Sequence, residues 1–411
     1  MKRFILSILS FFFLISSAFS QEFISVTGRV FDGSAKRPLS FASVQLLSTN
    51  ISNVTNDDGV FVLKIPLNTE ADTIMVSYLG FRSKRIALSD FGHRELPIYL
   101  EQSVITLRPV TIRPQDAASI VRMALSRVDK NYSQKPLQMT AFYREMIKKG
   151  NNYVSINEAV LDINKAAYSG YRADQIGIYK ARGNYDVARI DTLMVKFQGG
   201  PTSALNLDVV KDPFLGTDVM TMEHVYTFKF TDPVTIDDKF FYVIEFDETN
   251  KGPEIYFRGR VFIDAESLAI GRVEFSMNVE NRENANSYFV RRKPASLNMD
   301  VLSAEYLVNF KEIDNIWHFD YSRTEVKFNA RWDRKWFRSL YTIYSEIAIT
   351  DISENERRID QQNRIRPRDI ISNRVNDFTD ENFWEDYNII EPDQSIDRVI
   401  SRIIRQLRRR E

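Results

Sequence analysis

Residues 259–270 read Gly259-Arg260-Val261-Phe262-Ile263-Asp264-Ala265-Glu266-Ser267-Leu268-Ala269-Ile270. A β-branched and aromatic run meets a short polar turn and returns at once as a second apolar run, the pattern of an antiparallel hairpin. Runs of the same kind recur at 139–148, 153–163, 225–230, 240–246, 256–263, 269–277, 304–310, 317–328 and 340–349. Close turns between such runs predict an antiparallel meander, and the fold class expected is mainly β. The stretch 166–221 fits least well; it carries Gly199-Gly200-Pro201 and is expected to hold a short helix near 203–210. Ahead of the meander, Asp116 is placed to cap a helix whose apolar face is Ile120, Val121, Ala124, Leu125 and Val128.

Upstream, residues 22–112 also read as β. Ile24-Ser25-Val26-Thr27, Ser43-Val44-Gln45-Leu46, Val60-Phe61-Val62-Leu63 and Ile74-Met75-Val76-Ser77-Tyr78 alternate with turns at Asp32-Gly33-Ser34, Asn56-Asp57-Asp58-Gly59 and Leu79-Gly80-Phe81. Short strands at this spacing predict a sandwich. Gly28 and Gly59 stand where a bulge or a positive φ is expected.

Four ordered motifs carry a resemblance. Thr27-Gly28-Arg29-Val30-Phe31-Asp32, Arg37-Pro38-Leu39 with Ala42-Ser43-Val44, Thr55-Asn56-Asp57-Asp58-Gly59-Val60-Phe61, and Val76-Ser77-Tyr78-Leu79-Gly80-Phe81 together resemble the carboxypeptidase-regulatory-like domain. That is a transthyretin-like β-sandwich common in exported proteins of the Bacteroidetes. The resemblance implies a fold and a compartment, and no peptidase activity. The helix followed by a meander, with 259–264 and its return as the strongest part, is similar to the periplasmic lipoprotein-carrier fold, a half-barrel wrapped around a helix. The organisation expected is a signal peptide at 1–20, the sandwich at 22–112, the helix-plus-meander domain at 115–350, and a polar tail at 351–411.

The address rests on the first twenty residues. Lys2 and Arg3 precede an apolar run over 4–15, and Ala18-Phe19-Ser20 supplies a small-x-small cleavage site before Gln21. The run is too short for about 30 Å of hydrocarbon. Export to the periplasm, or to the periplasmic face of the outer membrane, is the expected localisation.

Composition narrows the chemistry. Among 411 residues, 55 Lys plus Arg balance 55 Asp plus Glu, so no long-range field draws the chain to a polyanion and no nucleic-acid partner is expected. The chain has no Cys, which removes thiolate zinc sites and cysteine nucleophiles, and only three His, at 93, 224 and 318, none spaced as a zinc pair. There is no Gly-x-Ser-x-Gly elbow and no phosphate loop. Asn56-Asp57-Asp58-Gly59 lacks the later acid of a calcium loop and reads as a turn. No catalytic residue, metal or cofactor is therefore expected; a hydrolase built on an unmarked acidic pair such as Asp237-Asp238 or Glu245 with Asp247 is the lesser alternative.

The aromatic residues crowd between 317 and 344. Trp317, Phe319 and Tyr321 are expected on one strand face, and with Trp332, Trp336 and Tyr341 they form the candidate lining of a cleft for an apolar or envelope-derived ligand, set against an ordinary aromatic core. Arg331, Arg334, Lys335 and Arg338 interleave with Trp332 and Trp336 and suit an acidic head group or a solvated hairpin tip. In the tail, Asn382-Phe383-Trp384 and Tyr387-Asn388-Ile389-Ile390 form an apolar cluster. Ile396, Val399, Ile400, Ile403, Ile404 and Leu407 then mark an amphipathic helix with Arg398, Arg402, Arg405 and Arg408 on its polar side. Its apolar face is expected to dock on the half-barrel; peripheral membrane contact is the other reading. The function expected is a non-enzymatic binding or scaffolding protein of the envelope. The alternative is an adaptor that pairs with an outer-membrane partner through a strand edge of the sandwich.

Overall fold

The computed structural model describes residues 23–103, 116–170, 172–185, 200–211, 215–236, 239–249, 256–280, 282–289, 295–333, 336–354, 357–367, 369–375, 383–384 and 386–407. The expected signal peptide, the Pro109 to Pro114 connection, the Asp237-Asp238 pair, Arg334 and Lys335 lie outside the described residues, as does the Trp332 side chain.

Seven strands build the N-terminal sandwich: β1 (Phe23–Asp32), β2 (Ser43–Leu46), β3 (Ser52–Val54), β4 (Val60–Pro66), β5 (Thr73–Ser77), β6 (Lys84–Ala87) and β7 (Leu96–Leu100). They form two sheets, β4-β1-β7 and β3-β2-β5-β6, in which only β1 and β7 run parallel. Alternation places Val26, Val30, Phe61, Leu63 and Ile98 from one sheet against Val44, Leu46, Ile74, Val76 and Ile86 from the other. Gly28 is demanded by packing, since a Cβ there would lie 2.6 Å from the Phe61 ring. Gly59 has a φ of +75°, and the Asn56 side chain closes its turn by accepting from the backbone N–H groups of Asp58 and Val60.

The second domain is one large antiparallel sheet. Its strands are β8 (Leu137–Lys149), β9 (Asn152–Lys165), β10 (Gln175–Tyr185), β11 (Tyr226–Phe230), β12 (Val234–Ile236), β13 (Lys239–Glu248), β14 (Phe257–Asp264), β15 (Ile270–Met277), β16 (Leu297–Ile313), β17 (Ile316–Trp332), β18 (Ser339–Ser353) and the two-residue β19 (Arg364–Ile365). The order is β11-β13-β14-β15-β16-β17-β18-β8-β9-β10-β19, with β12 paired to β13. The meander therefore holds from β13 to β18, and the earlier β8–β10 unit continues the sheet beyond β18.

One face carries the helices α1 (Ala117–Ser126), α2 (Val128–Asn131), α3 (Pro201–Leu205), α4 (Met222–Val225) and α5 (Arg282–Phe289). Asp116 caps α1 by accepting from the Ser119 N–H at 2.9 Å, as its position predicts. Ile120, Val121 and Ala124 of α1 share a core with Ala204, Leu205, Val210, Leu215 and Met222 and with the inward residues of the long strands. The expected helix near 203–210 is shorter and earlier, starting at Pro201, which suits the first turn of a helix.

Strand β10 falls in the stretch that reads least like sheet. Its alternation is interrupted by Gly177, Gly183 and a bulge between Ile178 and Lys180. The glycines make room for the tail: a Cβ at Gly177 would lie 2.6 Å from the Ile359 side chain, and one at Gly183 would lie 2.5 Å from Val375.

The other face, called outer here, receives the sandwich and the C-terminal segment. Ser52 and Asn50 donate to the carbonyls of Ile349 (3.0 Å) and Ile352 (2.6 Å) on β18. The final helix α6 (Gln394–Leu407) lays Ile396 and Ile400 on Met146, Tyr153 and Ile156 of the outer face, with Arg398, Arg402 and Arg405 exposed. The docked arrangement is the one observed. No helix among the described residues is long and apolar enough to cross a membrane.

Candidate binding face

Two bulges decide what the outer face presents. In β16 the register shifts at Leu302, so inward residues pass from Met299 and Val301 to Ala304, Tyr306 and Val308. In β17 the shift falls at Asp320: Asn309 faces Tyr321 while Phe310 faces Phe319. The expectation that Trp317, Phe319 and Tyr321 share a face is therefore overturned. Trp317 and Phe319 point into the helix-bearing core, whereas Tyr321 turns outward and stacks on Phe41 of the sandwich at 5.7 Å. Tyr341 is in the inner core, stacked on Phe328 at 5.5 Å, and Trp336 is 95% exposed at a hairpin tip. The structure thus distributes Trp317, Phe319, Tyr321, Trp336 and Tyr341 among a core, a domain interface and a tip, and does not bring these five together in one cleft.

The same bulge turns Arg323 outward and completes a feature that spans the sheet. Directly opposed residues on ten successive strands read Lys229, Glu245, Arg260, Glu274, Leu307, Arg323, Glu346, Arg144, Glu158 and Arg182. Charges alternate in sign along this row, with Leu307 between its two parts. Opposite charges facing each other across a pair of strands stabilise the register, and like charges there would oppose it.

The part from Glu346 to Arg182 is covered. Arg144 donates from Nε to Glu158 at 2.8 Å and from Nη2 to the Ile390 carbonyl at 2.7 Å. Arg182 donates to the second Glu158 oxygen at 2.9 Å, and Tyr321 donates to Glu346 at 3.0 Å. Burial alone would raise the Glu158 carboxyl, but Arg144 and Arg182 outweigh it and hold it below its ordinary value. Over this network lies residue Trp384, edge-on to Phe142 at 5.7 Å, with the Arg182 guanidinium 4.8 Å above its ring. The segment from Trp384 to Asp393 is held on its far side by the sandwich. Asn53 donates to the Ile389 carbonyl (2.8 Å), Asn56 to that of Pro392 (3.3 Å), and Asn388 exchanges two hydrogen bonds with the backbone of Lys64. A cavity of about 740 Å³ remains beside α6, between Arg182, Trp384, Glu391 and Arg405.

The part from Lys229 to Glu274 is open. Arg260 and Arg272 share the Glu274 carboxylate at 2.6 Å each, and these two arginines hold it below its ordinary range against burial, which acts first and in the other direction. Two cavities of about 390 and 430 Å³ adjoin here and share Arg258, Gly259, Arg260 and Ser276. Glu245 and Asp247 line the second of them.

Two other groups are displaced by burial, in opposite directions. Burial raises Glu145 to about 7, opposed by a hydrogen bond from Tyr143, and burial with the nearby Lys311 charge lowers His318 to about 4. Strand alternation puts Glu145 beside Tyr143 on the inner face and His318 on the outer face. Among the described residues no group of three or more His, Cys, Asp or Glu is placed to hold a metal ion.

Nothing in the sequence alone announces the cross-strand row, because it depends on strand order and register. Its only local signal is an acid or a base near the middle of strand after strand.

Comparison with known proteins is consistent with the resemblance of the N-terminal domain. Residues 26–112 match the family model described as the CarboxypepD_reg-like domain. Among solved structures, the chain is similar to a LolA superfamily protein from Nitrosomonas europaea (10% identity, 58% of this chain and 95% of that one, TM-score 0.22). It is also similar to a DUF1329 family protein from Desulfovibrio piger (14% identity, 57% and 94%, TM-score 0.24). The search of curated proteins found no match.

Proposed function

We propose that this is an exported, non-catalytic binding and scaffolding protein of the cell envelope, and that the open part of the outer face takes an extended polar segment of a partner polypeptide. One observation carries the reading: the covered part of the same charged row already holds a segment of this chain by its backbone, with the Arg144 guanidinium on the Ile390 carbonyl. The open part presents Arg258, Arg260 and Arg272 as donors and Glu245 and Asp247 as acceptors beside adjoining cavities. Export is supported by the pattern of residues 1–20, and the envelope by the resemblance of the sandwich to a domain of exported proteins.

An apolar ligand in the second domain is the competing reading. It would need the space on the helix-bearing face that Leu205, Val210, Leu215 and Met222 fill. Pairing through the sandwich is narrowed to β6 and β7, because β3 hydrogen-bonds to β18 and β4 to Asn388.

Cross-linking in native envelopes tests the proposal. Wild-type protein is expected to yield partner peptides joined to the open face, and the Arg258→Glu, Arg260→Glu variant to lose them. Unchanged cross-links in the variant, or an apolar small molecule retained by protein purified from the envelope, would overturn it.

A further inference from the structure

The hairpin joining β17 and β18 ends in two adjacent aromatic side chains that touch almost nothing. Trp336 is 95% exposed and Phe337 87% exposed, and Leu340, three residues on, is 42% exposed. Single exposed apolar residues are ordinary; two consecutive, exposed, large aromatic residues at the end of two of the longest strands in the molecule are not. Water is a poor environment for both rings. Indole in particular favours the boundary between water and hydrocarbon, where its ring is buried and its N–H stays hydrated.

The charges around the pair have a sign. Arg331 and Arg338 are exposed on either side of it, and among the described residues the Arg338 guanidinium reaches a carboxylate at Asp300, 4.0 Å away. The neighbouring β8–β9 turn is tied to this hairpin by the Gly150 N–H donating to the Leu340 carbonyl at 2.8 Å, and it brings Lys149 to the same end of the sheet. Asp333 is the acid at the tip itself, engaged by the Asn298 amide at 2.8 Å. A projecting apolar pair flanked by arginines and a lysine is complementary to a surface that is apolar below and negative above.

We infer that the β17–β18 tip is a membrane-docking site, in which Trp336 and Phe337 enter the interfacial region of an anionic bilayer while Arg331, Arg338 and Lys149 face its head groups. The chain touches lipid with this tip, and α6 keeps its apolar face on the sheet. The inference does not depend on the partner proposed for the open face.

Flotation of the exported protein with vesicles tests it, using phosphatidylcholine alone and phosphatidylcholine mixed with phosphatidylglycerol. Wild-type protein is expected to float with the anionic vesicles, less so as salt rises, with tryptophan emission shifted to the blue and quenched by brominated lipid. Trp336→Ser with Phe337→Ser is expected to lower the partition coefficient at least tenfold without changing the melting temperature. Arg331→Gln with Arg338→Gln is expected to remove most of the preference for the anionic lipid. If the doubly substituted aromatic variant failed to fold, quenching of the wild-type protein by brominated lipid would decide alone. The inference is overturned by no flotation of wild type, by equal flotation of the aromatic variant, or by a loss of self-association in that variant with lipid binding intact. Flotation abolished by Arg398→Glu with Arg402→Glu and untouched at the tip would move the contact to α6, which also overturns it.

Discussion

Arg144 and Arg260 stand in one cross-strand row, each opposite a glutamate, yet the side chain of Arg144 is 1% exposed and that of Arg260 49%. The sequence gives both strands the same alternation. What separates them is the cover laid over one part of the sheet by the sandwich and the 383–393 segment. Under cover, the charges are committed: every one has lost its water and is held by a partner. In the open, the same kind of pair remains available for exchange. One sheet face thus serves as an internal interface along part of its width and, in the function proposed above, as a binding surface along the rest.

The largest effect is expected where cover and charge coincide. Arg144→Met leaves Glu158 buried with Arg182 as its remaining partner and removes the donor to Ile390, so it should destabilise the protein by about 3–5 kcal/mol in denaturant unfolding. Replacing both Arg144 and Glu158 by apolar residues of similar size should cost much less, since no stranded charge remains. If the single and double variants lose equally, the row does not act as a paired unit.

Trp384→Ala comes next. The ring fills the space between Phe142 and Arg182, and its loss should cost about 3 kcal/mol, with protease cleavage appearing first in the tail. Uniform destabilisation without earlier cleavage near 384 would show that the segment is not a separately released strap.

Much of this arrangement is legible in the sequence, and the reasons for the rest are specific. The strands over 139–163 and 256–349 stand out because their alternation is long and their turns short, and the Asp116 cap and the amphipathic α6 follow local rules. Strand β10 is hidden because its glycines answer to Ile359 and Val375, nearly two hundred residues away in the chain. The facing of Tyr321 is hidden because one extra residue, Asp320, reverses every position after it. The row itself becomes visible only when β18 is found beside β8.

Acidity separates the two faces of the sheet. His318, on the outer face beneath the sandwich, titrates near 4 when folded against 6.5 in the unfolded chain. The unfolded state therefore takes up its proton first, and the His318 contribution, at most about 3 kcal/mol, is complete above pH 6.5 and lost as the pH falls to 4. Glu145, on the inner face, titrates near 7 against 4.5, so its contribution is complete below pH 4.5 and lost as the pH rises through 7. Between those limits the two oppose each other. Relative to wild type, His318→Gln should make stability fall more steeply with rising pH over 4.5–6.5, and Glu145→Gln should make it rise. Parallel profiles for both variants would mean that neither group is held as described.

The smallest expected effect on stability belongs to Arg260→Ala. Its guanidinium is half exposed and shares Glu274 with Arg272, so its removal leaves the carboxylate paired, and the cost should stay below about 1 kcal/mol. Partner capture should nevertheless fall, because this side chain lines both open cavities. That dissociation of stability from binding is the reverse of what Arg144→Met should show. A large loss of stability at Arg260 with capture unchanged would mean that the open charges are structural after all, and the distinction between the two parts of the row would fail.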